Sequence, residues 1–75
     1  MKIIYCIIPR EDPKGVFYTI DTVREGGVGG STPFEQKPST KQIELHLRTL
    51  YPEMTESVWH TNTTQTSEEI ASLYF

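Results

Sequence analysis

"IIYCIIPREDPKGVFYTIDTV", residues Ile3 to Val23, is the stretch on which the architecture turns. Ile3 to Ile8 is a near-continuous run of β-branched and aromatic residues, the pattern of a strand buried on both faces and so central in its sheet. Pro9 to Gly15, "PREDPKG", carries two prolines, charged residues and a closing glycine, which is turn chemistry. Val16 to Val23 sets Val16, Tyr18, Ile20 and Thr22 on one face and Phe17, Thr19, Asp21 and Val23 on the other, a pleated half-buried strand. The three pieces read as an antiparallel hairpin.

Downstream of the hairpin, "REGGVGGSTPFEQKP" from Arg24 to Pro38 reads as a flexible glycine-rich loop. Ser39 with Gln42 three positions on matches a capping box, and Ile43, Leu47 and Leu50 recur at helical spacing with Tyr51 beside them and Pro52 as the stop. "TESVWHT", Thr55 to Thr61, has the β-branched and aromatic centre of a third strand. Thr66 with Glu69, followed by Ile70, Leu73 and Tyr74, predicts a short C-terminal helix, and Glu68 and Glu69 suit the positive end of its dipole. The expected fold is α+β. A small three-stranded antiparallel sheet, in the order β-β-α-β-α, carries its helices on one face, all in a single domain spanning residues 1–75.

At 75 residues the chain buries only roughly 60% of its unfolded surface, so its core is thin and leaves little room for a deep pocket. The formal net charge is −3, with ten carboxylates against seven scattered Lys and Arg. No basic stripe follows a nucleic-acid backbone, and direct nucleic-acid binding is disfavoured. The carboxylates, offset by the cations, are also too dilute to imitate a phosphate array. A single cysteine, Cys6, precludes an intramolecular disulfide, and with no signal peptide or membrane-length apolar run the expected location is the cytoplasm. The sequon at Asn62 is then incidental.

The glycine segment raises the question of phosphate binding, and its spacing answers it. A P-loop requires Gly-Lys followed by Ser or Thr, whereas Ser31 follows Gly30 and no lysine precedes Lys37. A dinucleotide fingerprint begun at Gly27 and Gly29 meets Thr32 where a third small residue is required, and no helix follows directly. His46, His60 and Cys6 are too few for a four-ligand zinc site, and a mid-strand Cys6 is a buried thiol rather than a nucleophile. The sequence therefore predicts no enzyme, cofactor or metal.

What remains is a loop or strand surface for binding. The candidate contact residues are Arg24, Glu25, Phe34, Glu35, Gln36, Glu53, Glu56, Trp59 and His60, with Phe34 also able to pin the loop to the core. A short acidic chain with a hairpin opening at residue 2, one helix, no active-site motif and a flexible loop resembles the small phage-encoded inhibitors of host defence, anti-CRISPR proteins among them. That resemblance implies stoichiometric binding to a host protein or nucleoprotein complex, blocking its nucleic-acid binding or its assembly. Acidic character would aid association with a basic nucleic-acid-binding surface. The alternatives are a small nucleic-acid-binding or regulatory module and a self-associating subunit that pairs through a strand edge, so the chain itself is a monomer or a homodimer.

Overall fold

β1 (Lys2–Asp12) and β2 (Gly15–Arg24) form the expected hairpin, with a register unbroken from Ile3 opposite Arg24 to Asp12 opposite Gly15. The computed structural model describes residues 1–26 and 29–75. Both strands reach further than the sequence implied, because the strand continues through Pro9 instead of ending there. Strand residues turn their amides alternately to either side. The Tyr5 carbonyl accepts the His60 N–H on one side of β1, so position 9 faces that same side, past the neighbouring strand's end. Proline's missing N–H costs nothing at such an edge.

The turn itself is reduced to Asp12-Pro13-Lys14-Gly15, the residue signature of a type I turn with Asp first, Pro second and Gly fourth. Asp12 Oδ1 accepts the Lys14 N–H at 2.8 Å, and Gly15 takes φ +130°, which a side chain would resist. At about 3.3 Å per residue an eleven-residue β1 spans about 36 Å. The longest dimension of the molecule is 36 Å, so the hairpin sets its length.

Part of the expected loop is a strand. Ser31–Phe34 forms β3, antiparallel to β2, with Phe34 opposite Tyr18 and Thr32 opposite Ile20. The Thr22 N–H donates to the Gly30 carbonyl at 2.9 Å, which places Thr32 and Phe34 with their amides toward β2 and Pro33 with its ring nitrogen on the outer edge. Gly27 and Val28, within the loop expectation, lie outside the described residues.

α1 (Thr40–Leu50) has the predicted capping box: Ser39 Oγ accepts the Gln42 N–H at 3.2 Å while Gln42 Oε1 accepts the Ser39 N–H at 2.8 Å. β4 (Glu56–Trp59) then pairs with β1 in parallel, giving a four-stranded mixed sheet in the order β3-β2-β1-β4. This corrects the all-antiparallel, three-stranded expectation. β3 runs parallel with β1, since both oppose β2, and a helical crossover returns the chain to the same end of the sheet. The strand that follows α1 must therefore also run parallel with β1.

α2 (Ser67–Tyr74) carries the second capping box, Thr66 with Glu69. The two helices cover opposite faces, not one. α1 buries Ile43 and Leu47 against Ile3, Tyr5, Ile20 and Met54, whereas α2 buries Ile70 against Ile4, Cys6 and Val23. This three-layer arrangement is what the unalternating run Ile3–Ile8 requires, because odd and even positions of β1 each need an apolar partner. No described helix is long and apolar enough to cross a membrane.

Candidate functional site

The expected contact residues do not assemble into one site. Arg24, Glu53 and Glu56 lie at the end of the sheet where β1 begins. There Arg24 and Glu53 line a concavity of about 240 Å³ with Met1, Leu50, Tyr51 and Pro52. Glu56 reaches Lys2 Nζ at 3.6 Å, and Glu25 is exposed just beyond β2. Glu35 and Gln36 stand exposed at the far end, following β3 toward the hairpin. The register explains the separation, since β2 and β3 are antiparallel and the two ends of the glycine segment point opposite ways.

Phe34 and Arg24 each pack against an aromatic ring of the fold. Phe34 is half-buried against the α1 core and meets the His46 ring edge-on at 5.6 Å, while His46 Nε2 lies 3.1 Å from Thr32 Oγ1. Phe34 is thus the pin that holds β3 to α1. The Arg24 guanidinium lies 5.9 Å from the Tyr51 ring centroid, a cation–π arrangement that covers the end of α1.

His60 is a correction, because it is buried rather than an exposed contact. Its N–H bonds to Tyr5, its Nδ1 lies 2.9 Å from the Tyr74 hydroxyl and its Nε2 lies 2.5 Å from Gln65 Oε1. In the neutral ring an Nε2–H toward Gln65 leaves Nδ1 to accept the Tyr74 hydroxyl proton. The residue joins β4 to α2, and strand alternation explains it: position 60 faces β1 and the α2 layer, while Trp59 faces outward. Trp59 is 51% exposed on the outer strand, on the face of the sheet that bears α1 and opposite Tyr5 in register.

No catalytic geometry attaches to Cys6. It lies buried on the α2 face, and burial, with the Asp21 charge second, raises its pKa, which keeps the thiol protonated and unreactive at neutral pH. Burial, followed by the Glu44 charge, likewise raises Tyr5. Both groups bind their protons more tightly when folded, so their contribution to stability is complete below the unfolded values near 9.0 and 10.0 and is lost as pH rises through the folded ones. Urea midpoints measured from pH 7 to 11 should accordingly fall only above about pH 9. A midpoint that rises across that range would contradict both burials. Among the described residues no group of three or more His, Cys, Asp or Glu could hold a metal ion.

Sequence reasoning passed over the hairpin's outer half. Residues Pro9 to Val16 are all exposed, since the apolar clusters under both helices stop near Ile7, Ile8 and Ile20. On the face carrying α2, the bare half of the sheet holds a polar network. Arg10 Nε donates to Thr19 Oγ1 at 3.1 Å and Nη2 to Asp21 Oδ2 at 3.4 Å, and Ser31 Oγ donates to Asp21 Oδ1 at 2.7 Å. Next to it, Asp12, Lys14, Gly15, Val16, Phe17 and Glu35 line a concavity of about 260 Å³. The legible signal was the Asp-Pro-Lys-Gly turn, which lets both strands run to its edge.

Comparison of the chain with protein-family models, with curated proteins and with solved structures found no match.

Proposed function

We propose that this chain is a small protein-binding inhibitor or adaptor. It would act as the phage-encoded inhibitors that it resembles, anti-CRISPR proteins among them, would act: by occupying a host protein or nucleoprotein complex stoichiometrically in the cytoplasm. The carrying observation is Trp59, a large aromatic held half-exposed on a short outer strand. Exposed tryptophans on rigid elements are the residue class most enriched among interface hot spots. The concavities among the described residues, of about 180 to 320 Å³, lie at or below the low end of the roughly 300–1,000 Å³ usual for small-molecule pockets, which favours a surface over a cavity.

The edges favour side-chain recognition over strand pairing. Pro9 and Pro33 stand at outward positions of β1 and β3, and β4 has only four residues. Short edges interrupted by proline are poor templates for another strand. This weighs against the self-associating subunit.

The test compares wild type with Trp59→Ala in host lysate before and after nuclease treatment, with the fold of each checked by circular dichroism. A stoichiometric partner should be retained by wild type, and the variant should bind it at least roughly 30-fold more weakly, as expected for a hot spot worth about 2 kcal/mol or more. Equal affinity of a folded Trp59→Ala variant would remove this assignment. Recovery of nucleic acid alone would favour the nucleic-acid module.

A further inference from the structure

From the hairpin geometry we infer that the groove between the β1–β2 turn and the end of β3 receives an arginine side chain from the protein partner. The inference rests on the protein-binding reading for the source of that side chain. Asp12, Phe17 and Glu35 line the groove together with Val16, Gly15 and Lys14. Strand parity puts Asp12 on the same face as Arg10, and Arg10 is the register partner of Phe17. The face is the one on which the apolar cluster under α2 ends at Ile8.

Each lining group matches one part of an arginine. Phe17 is half-buried and lines the groove, and an aromatic ring is a surface on which a planar guanidinium can stack. Gly15 has open space where a side chain would stand, which leaves room along the groove for the methylene stem. Glu35 has neither a hydrogen bond nor an ion pair among the described residues, leaving both of its oxygens able to accept from the guanidinium fork. Asp12 spends Oδ1 on the turn and keeps Oδ2. The nearby Arg10 is already occupied by Thr19 and Asp21, so it neither fills the groove nor neutralises Glu35. Lys14 is the one cation in the lining, against two carboxylates. That imbalance, with a volume of about 260 Å³, sets the charge and size of the guest.

The experiment titrates the isotope-labelled full chain with N-acetyl-tetra-arginine amide, and in parallel with the tetra-lysine peptide, while backbone amide shifts are followed. Saturable shifts confined to Gly15, Val16, Phe17 and Glu35, larger for the arginine peptide and reduced by added salt, are expected. Glu35→Gln should weaken the arginine peptide roughly two- to fivefold, the scale of one exposed ion pair. Phe17→Leu, which keeps the bulk and removes the ring, should abolish the preference for arginine over lysine. Shifts spread equally over Glu53, Glu56, Glu68 and Glu69 would overturn the proposal as mere attraction to an acidic chain, as would a Glu35→Gln variant that titrates like wild type. A host partner that depends on Trp59 but binds Glu35→Gln unchanged would remove the groove and leave the protein-binding reading intact.

Discussion

Leu47→Ala should lower the free energy of unfolding by about 2–5 kcal/mol, the range for truncating a fully buried aliphatic side chain. Leu47 is fully buried among Ile3, Tyr5, Ile20, Ile43 and Met54, at the centre of the α1 layer. A chain of 75 residues has a total stability of only about 4–11 kcal/mol, so the variant should forfeit a large share of it. The corresponding fall in Tm is at least about 8 °C for a domain of this size. Urea unfolding followed by circular dichroism gives the value directly, and a loss below about 1 kcal/mol would mean that α1 does not carry the core in the way its contacts imply.

The same substitution at Ile70 probes the other layer and should behave differently. α2 has eight residues and is held by one buried apolar side chain with Val58, Ala71 and Tyr74 around it, plus the His60 bond to Tyr74. Ile70→Ala should therefore raise hydrogen exchange in α2 before it affects the sheet, as a local opening rather than global loss.

The hairpin and both helices were legible in the sequence because each has a local cause. Alternating Val16 to Val23, the Ser39–Gln42 box and the Thr66–Glu69 box are complete within a few residues. β3 was not legible, since Ser31-Thr-Pro-Phe34 has weak strand propensity and a proline, and becomes a strand only because β2 offers it a free edge. The parallel direction of β4 and the opposite placement of the helices are non-local in the same way. The run Ile3–Ile8 did hold the clue, for a strand apolar at odd and even positions alike needs cover on two faces.

The candidate contacts divide along the same line. Trp59 and His60 are adjacent, and alternation requires one to face out and one to face in. The direction depends on where β1 lies, which no local pattern shows. The sequence places Glu35 in an exposed loop, whereas β3 sets it beside Phe17 at the groove. The outer half of the hairpin is hidden in the sequence because Pro9 to Gly15 has turn composition, whereas β1 continues to Asp12 and β2 starts at Gly15.

Gly29→Ala should destabilise the protein by about 3 kcal/mol, the upper end of what overpacking costs, although no glycine freedom of φ is involved. A Cβ at position 29 would overlap the Thr22 carbonyl, a backbone group of β2 that cannot swing aside as a side chain would. The adjoining Gly30 provides the control. A Cβ there would meet the Tyr51 hydroxyl at 3.9 Å and Thr22 Oγ1 at 4.0 Å, which is ordinary contact, so Gly30→Ala should stay within about 0.5 kcal/mol of wild type. Thermal melts of the two variants side by side decide the matter, and equal Tm values would show that the close approach is not required. The loss should also reach the hairpin. The Gly30 N–H donates to Thr22 Oγ1 at 2.9 Å, and that oxygen lies 3.1 Å from the Tyr51 hydroxyl, so one threonine ties the entry of β3 to both β2 and the end of α1. With position 29 crowded, that tie opens first, β3 loses its register on β2, and Glu35 at its far end is no longer held beside Phe17. Gly29→Ala should therefore abolish the arginine-peptide shifts at the groove even at temperatures where the hairpin and α1 remain folded.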